Sequence, residues 1–456
     1  MKKFFDPETV ALVGASSRPF RPGHNLFLNL RDCFGEKFFP VNPKVKEIEG
    51  IRCYSSLLEI PAQVDVAIVM IPAVSVPGVL EQCARRGIKR VIIESAGFAE
   101  VGKQGKKLQE ICLEIARKNG IRLWGPNCMG AINVTKNKVL SFMSPFLWKG
   151  RFTPGPVSLV VQSGMLSAGF LSYIISKMPF GLSKVASIGN KSDVNETEIL
   201  EYLIQDPDTR VIGMYLESIS QGRKFFQLAK STDKPIVVLK GGSSPLGAQA
   251  AYSHTASLAQ DDALLEGIFH QAKIIRVKGL VELMEIVRAF SIYQPEKKSK
   301  ARIAIITFSG GAGVVASDRI YEQGMKLAQL SKKTTVQVKT VFPEWMEPAN
   351  PLDIYPAIEK NGPQITYQTA LNALFQDPGV DAIFLHSFAP PINVPIINYD
   401  WLAEQMKKSK KPVVAWIMGH TETAKQIEEE LRKRGIIVVE EMVRGLRILR
   451  ALLLRR

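Results

Sequence analysis

The sequence predicts an α/β fold: parallel sheets covered on both faces by helices, repeated in three units along 456 residues. Three observations predict it. Short runs rich in Val and Ile alternate with helical stretches, as expected for strands buried on both faces. The turns after these runs are rich in Gly, Ser, Asn and Pro, the residues of strand-to-helix connections. The last two thirds of the chain also carry the same strand-and-turn pattern twice.

The first unit, residues 1–145, opens with the buried strand Val10–Val13 and the turn Gly14-Ala15-Ser16-Ser17-Arg18-Pro19. Further strands are expected at 37–41, 64–71, 90–93 and 121–124, with helices at 76–86 and 105–118 between them. This order is Rossmann-like. The second unit, residues 150–294, places strands at 157–161, 185–188, 211–216 and 235–239. The charged stretch Pro295–Lys300 reads as a linker, and the third unit, residues 301–456, starts on a strand at Arg302–Thr307. Units two and three look like copies. Leu159–Gly164 parallels Ile305–Gly310, Tyr215–Ser218 parallels Phe384–Ser387, and Lys234–Val238 parallels Lys411–Ala415. The copies differ before their last strand. Pro235 and Val277 lie 42 positions apart, Pro412 and Val439 only 27, so unit two carries about 15 extra residues around 241–262. An insertion of this kind reads either as a functional loop or as a neutral surface loop.

Composition excludes several classes. Hydrophobic residues make up 46% and charged residues 22%, outside the range of collagen-like, mucin-like or wholly disordered chains. No apolar run of ~18 residues appears, so no membrane span is expected. The start Met1–Pro7 has basic residues without an apolar stretch behind them, so a cytoplasmic location is expected rather than secretion. The five cysteines (Cys33, Cys53, Cys83, Cys112, Cys128) are odd in number and lack CxxC spacing, and the five histidines are scattered. Neither a disulfide framework nor a metal site is expected. Lys and Arg number 59 against 43 Asp and Glu, a net +16. Such an excess suits a multiply phosphorylated ligand, an acidic partner subunit or simply a solvated basic surface. No aromatic-interleaved motif accompanies it, so nucleic acid is not expected as a partner.

The motifs lie where parallel strands end, which is where open α/β sheets bind ligands. Gly14 opens a turn with the first glycine of a dinucleotide fingerprint but not the second or third, and Lys44 stands where an NAD site wants an acid. The turn Asn42-Pro43-Lys44 therefore reads as a phosphate contact or as a plain surface turn. An NAD-binding regulator is disfavoured. Ile71-Pro72, Ser95-Ala96-Gly97 and Gly125-Pro126-Asn127 follow later strands, and together they suggest an extended phosphate-bearing ligand across the sheet edge. Gln162-Ser163-Gly164 leads into an apolar helix, whose N-terminus offers N–H groups and partial positive charge to phosphate. The turn Ser309-Gly310-Gly311 has the same form, and either turn also reads as simple helix capping. Gly189-Asn190 falls on the same crevice side, or is an ordinary polar turn.

His254 is the sharpest candidate. It sits in the inserted stretch among small residues, and imidazole nitrogen accepts a phosphoryl group as a nucleophile. Glu217, at a neighbouring strand end, is placed to hold the other ring nitrogen and fix the tautomer. On the residues alone, a catalytic and a surface histidine stand level.

Jointly, these motifs carry a resemblance that covers nearly the whole chain. Val13–Ser16, Pro40–Lys44, Ser95–Phe98, Gly125–Asn127, Gln162–Gly164, Gly189-Asn190, Asp193, Tyr215–Glu217, Ser253-His254-Thr255 and Asn350–Asp353 match. The chain resembles the alpha subunits of nucleoside-diphosphate-forming (ADP-forming) acyl-CoA synthetases, relatives of succinyl-CoA synthetase. The resemblance implies a Rossmann-like CoA-binding domain followed by two flavodoxin-like, doubly wound domains. It implies a CoA site at Gly14, Ala15, Ser16, Arg18, Lys44, Ile71, Pro72, Ser95, Ala96, Gly97 and Asn127. It implies a phosphate site at Gln162, Ser163, Gly164 and Asn190, with His254 phosphorylated and Glu217 supporting it. It also implies a separate ATP-grasp beta subunit that holds ADP or ATP with Mg²⁺, in an α2β2 assembly. The reaction would convert acyl-CoA, ADP and phosphate into a carboxylic acid, CoA and ATP through an acyl phosphate. A CoA-sensing protein of the same fold without turnover is the alternative. One departure is that Ala256 replaces the glycine usual after Ser-His-Thr, which restricts the backbone there.

Overall fold

Continuous Val/Ile runs have no polar face to expose, so they form interior strands, and glycine and proline stop them. The computed structural model describes residues 1–255, 261–392 and 396–454, and the side chains of 252–255 also fall outside that description. The chain packs as two compact units, Met1–Ser291 and Ile292–Arg456.

Met1–Ser291 contains two parallel sheets. The first has the order Phe38–Val41, Val10–Val13, Val66–Val69, Arg90–Ile93, Arg122–Trp124. The second runs Ile275–Val277, Ile236–Lys240, Val211–Leu216, Pro154–Val161, Leu182–Ser187, all parallel. Two strands extend its edge in antiparallel fashion, Ala131–Asn133 and Lys138–Leu140. In both sheets the second strand of the parallel series lies on one side of the first and the third strand on the other. The chain reverses direction there, which leaves a crevice at the carboxyl ends. Helices cover the faces; Pro22–Phe34 and Gly164–Ser176 each start directly above a switch point.

One hydrophobic core joins the two sheets. Leu12 and Trp124 from the first lie in the same cluster as Val160 and Ile212 from the second. Phe4 and Phe5 pack on Trp124 with ring centroids 5.4 and 5.5 Å away. Burying each such ring stabilises the fold by roughly 3 kcal/mol. The Trp124 indole N–H donates to the Ser187 carbonyl at 2.7 Å, and Arg122 pairs with Asp193 at 2.9 Å and Glu198 at 2.8 Å.

Ile292–Arg456 repeats the parallel order as Lys326–Leu327, Arg302–Thr307, Ala382–Ala389, Val413–Gly419, Ile437–Val439. The stretch read as a linker is held down within this unit. The Lys298 amide donates to the Leu453 carbonyl at 2.7 Å, and the Lys297 ammonium donates to the Ala451 carbonyl at 2.6 Å. The insertion read as a loop around 241–262 is helical at both ends. The helix Pro245–Thr255 carries His254 and packs against the turn Ala99–Val101, and a second helix begins at Asp262. Small residues with good helix propensity, mostly alanine, explain the difference. Ala256 lies outside the described residues.

Candidate active site

The first switch point is built by close backbone approach. Gly14 turns at φ +99° and donates its N–H to the Val41 carbonyl at 3.0 Å. A Cβ on Gly14 would collide with the Met70 carbonyl, and one on Gly23 would collide with the Gly14 carbonyl. Gly23 thus lets the helix Pro22–Phe34 seat against the strand end, the task of the last glycine in a dinucleotide fingerprint. The Asn42 amide donates to the Ala15 carbonyl at 2.8 Å, and its oxygen accepts the Lys44 N–H at 2.9 Å. That turn holds the backbone from which Lys44 reaches outward. The Ser95 hydroxyl accepts the Ile71 N–H at 3.0 Å.

These turns enclose a cavity of about 560 Å³ lined by Gly14, Ser16, Arg18, Lys44, Ile71, Pro72, Ser95 and Ala96 among the expected residues. Asn42, from the turn read as a phosphate contact, lines it too, and so do Ser17, Arg21 and Val45, which were not expected. Among the described residues, three exposed cations and no carboxylate line the space, which suits a polyphosphorylated ligand. Two expected residues stand apart from the wall. Ala15 is fully buried beneath the turn. Gly97 gives its N–H to the Glu100 carboxylate at 2.6 Å.

The second switch point lies beside the first. The helix Gly164–Ser176 begins at Ser163, whose backbone is extended and whose side chain makes no capping bond. The first N–H groups of such a helix face outward without a side-chain acceptor, ready for an anion. Gln162 Oε1 accepts the N–H groups of Glu217 at 2.8 Å and Ser218 at 3.3 Å, so this side chain ties the two strand ends together. Glu217 is 4% exposed and receives the Tyr215 hydroxyl at 3.3 Å. Two buried cations grip the same turn: Lys191 donates to the Ser218 carbonyl at 2.6 Å and Lys240 to the Glu217 carbonyl at 2.7 Å. Burial lowers the pKa of Lys191 and brings that of Lys240 down to about 8.

A cavity of about 280 Å³ joins the two switch points. Gln162, Ser163, Gly164 and Met165 line one side and Ser95, Ala96, Met70 and Pro22 the other; these last four also line the larger cavity. Asn127 borders this smaller space rather than the larger one. Asn190 is not brought to the helix start. Its amide donates to Glu100 at 2.6 Å and Gln109 at 3.2 Å, and its oxygen accepts from Asn127 at 3.3 Å. The His254 side chain lies outside the described residues.

The matching turn of Ile292–Arg456 differs. The Ser309 hydroxyl accepts the Ala312 N–H at 3.5 Å, and the Asp353 carboxylate lies 2.9 Å from where a Cβ on Gly310 would stand. An acid occupies the approach that is open at Gly164. His386, at the position matching Glu217, stacks on Trp416 with centroids 4.2 Å apart.

A cation-lined cavity beside an uncapped helix start has the form of an anion site at the strand ends of an α/β protein. Three family models match the chain: a CoA binding domain over residues 8–133, a succinyl-CoA ligase like flavodoxin domain over 154–290 and a Ligase-CoA domain over 303–442. An ADP-forming acetate–CoA ligase II of Archaeoglobus fulgidus is 38% identical over 98% of this chain, which spans 66% of that protein's length. The alpha subunit of the ADP-forming acetate–CoA ligase II of Pyrococcus furiosus is 36% identical over 96% of this chain and 94% of its own. Among solved structures, the acetyl-coenzyme A synthetase 1 of Ca. Korarchaeum cryptofilum, in complex with phosphate and ADP, superposes with a TM-score of 0.86 at 29% identity, covering 99% of this chain and 96% of that one. The chain belongs to the family of ADP-forming acyl-CoA ligases related to succinyl-CoA ligase.

Proposed function

We propose that this chain is the alpha subunit of an ADP-forming acyl-CoA synthetase, an acid–thiol ligase working with a separate ATP-grasp beta subunit in an α2β2 assembly in the cytoplasm. One observation carries the reading: the cation-lined cavity and the cavity at the Gly164 helix start share Pro22, Met70, Ser95 and Ala96 as a common wall within Met1–Ser291. CoA lies across Gly14–Arg18, Lys44 and Ser95-Ala96, with its thioester end directed at the smaller cavity. Phosphate rests on the N–H groups at Ser163-Gly164 and attacks the thioester carbonyl. CoA leaves and an acyl phosphate forms. A His254 ring nitrogen then attacks phosphorus, the P–O bond to the acyl group breaks and the carboxylate leaves, with Glu217 holding the other ring nitrogen. The partner subunit supplies ADP and Mg²⁺, to which the phosphoryl group passes to make ATP. Electrostatic stabilisation by the helix N-terminus supplies most of the effect, because phosphoryl transfer needs positioning above all. In the reverse direction the enzyme activates a carboxylic acid.

The test is labelling of the chain by γ-labelled ATP in the presence of the beta subunit. Wild type acquires an acid-labile label, and His254→Ala acquires none. A labelled His254→Ala protein refutes the assignment.

A further inference from the structure

The space between the two switch points contains one acid that the mechanism above does not use. Glu94 directly follows the strand Arg90–Ile93 and is 4% exposed. It lines the smaller cavity together with Met70, Cys128, Phe142, Ser163 and Gly164. Its Oε2 accepts the Phe142 N–H at 3.1 Å, whereas Oε1 has no hydrogen-bond partner. A Cβ on Gly130 would collide with Oε1, so the carboxyl occupies room that this glycine leaves free. No lysine, arginine or histidine lines the cavity among the described residues. Cys128, from the turn after Trp124, is the other titratable group on the wall; the strand ends at Met70 and the helix start at Gly164 present none. Burial holds the Glu94 carboxyl well above its ordinary range, with the single Phe142 bond opposing it weakly. Burial, reinforced by Glu94, raises Cys128 as well, so it remains a thiol. A carboxyl without a counter-charge keeps its proton in such a place.

We propose that Glu94 is the proton carrier of the thioester half-reaction, giving its proton to the CoA sulfur and taking one from the attacking phosphate. This rests on the acyl-CoA synthetase reading. The step balances. An oxygen of hydrogen phosphate forms the C–O bond, the C–S bond breaks, and its electron pair leaves with sulfur. Sulfur receives the Glu94 proton and departs as the thiol. The Glu94 carboxylate then receives the proton that phosphate sheds as it becomes the acyl phosphate dianion. In reverse, the carboxylate takes the thiol proton as sulfur attacks the acyl phosphate. An acid of raised pKa suits both directions, since it enters the forward step with its proton in place and its carboxylate takes a proton back readily.

The experiment is single-turnover release of CoA from acetyl-CoA by the full chain with its partner subunit, with and without inorganic phosphate, across pH, followed by chromatography of quenched samples. Wild type slows as pH rises through the Glu94 titration, because the acid form is consumed. Glu94→Gln keeps its affinities for acetyl-CoA and phosphate within about twofold. It loses about 10²–10⁴ in rate and the alkaline limb of the profile. Glu94→Asp retains the limb at an intermediate rate, and it provides the reading should the amide variant fail to fold. Glu94→Gln turning over within about threefold of wild type overturns the proposal. So does a rate loss matched by an equal loss of acetyl-CoA affinity, or Glu94→Asp without the alkaline limb. A wild type that releases no CoA in response to phosphate refutes the synthetase reading instead.

Discussion

At Gly23 one added methyl group would meet the Gly14 carbonyl, the oxygen at the apex of the first switch point. Gly23→Ala is therefore expected to destabilise the fold by about 1–3 kcal/mol, as overpacking does. It should also weaken CoA binding at least tenfold, read from urea midpoints and calorimetric titration; wild-type affinity in this variant would remove the cradle from the account. The role of Gly23 was not legible in the sequence. The basic, proline-bracketed stretch Arg18–Pro22 pushes it away from fingerprint spacing, so the pattern shows one glycine where the fold uses two. Glu94 was hidden for a different reason: an acid at the end of an apolar run looks like a strand leaving the core, and only the packing of Gly130 reveals that it stays inside. Lys44 and Ser95 were legible, because the ends of parallel strands are fixed by the strands themselves. Lys240 supplies a pH test. Its pKa lies at about 8 against an ordinary 10.5, so between those values the unfolded chain binds more protons than the native one. Wild-type stability relative to Lys240→Met should rise across that window by on the order of 3 kcal/mol. Denaturant unfolding of both proteins at pH 7.5 and pH 10.5 measures it, and a difference that stays constant would show that the ammonium bears no burial penalty.

Among elements, the helices Gly164–Ser176 and Gly310–Glu322 make an instructive pair. Both follow the first strand of a sheet and both begin after a serine, yet only the second has its serine hydroxyl turned onto its own N–H groups. Sequence cannot separate them, because Ser-Gly opens both and the distinguishing Asp353 comes more than forty residues later. The space around Gly164 yields a test. A Cβ there would meet Met129 Cγ at 3.5 Å, an ordinary contact, so Gly164→Ala should fold with little loss. The methyl would stand beside the N–H groups assigned to phosphate. The phosphate KM is expected to rise about tenfold or more while CoA affinity stays unchanged. Steady-state kinetics with each substrate varied decides it, and an unchanged phosphate KM would move the anion elsewhere. The strands of the parallel sheets were legible in their Val/Ile runs, several to the residue, as at Arg90–Ile93 and Val211–Leu216. The antiparallel strands Ala131–Asn133 and Lys138–Leu140 were not, since three residues cannot display a period. The helix Pro245–Thr255 was missed because Gly, Ser and Ala within an insertion suggest a loop by position, whereas local propensity and packing on Ala99–Val101 favour a helix.

For the whole molecule, the distribution of the sites matters more than the total charge. A net +16 could serve any polyanion, but the cations that face the larger cavity are three: Arg18, Arg21 and Lys44, all exposed. Exposed charges are screened within about 8–10 Å at physiological salt. CoA affinity should consequently fall several-fold between about 0.05 and 0.5 M salt, and it should fall much less in a variant with all three replaced by alanine. Every residue lining the two joined cavities belongs to Met1–Ser291, whose two sheets share one hydrophobic core. Ile292–Arg456 has its own sheet and core, and the Tyr293 hydroxyl within it accepts the Val413 N–H at 3.3 Å. A fragment ending at Ser291 is accordingly expected to fold cooperatively and to bind CoA with a Kd within about twofold of the full chain, by calorimetry at matched salt. It should also bind inorganic phosphate, since both switch points travel with it. If the fragment folds, as judged by a single cooperative unfolding transition, but binds CoA more than tenfold weaker, then Ile292–Arg456 contributes to the ligand site, and the claim that one unit unites thioester and phosphate fails.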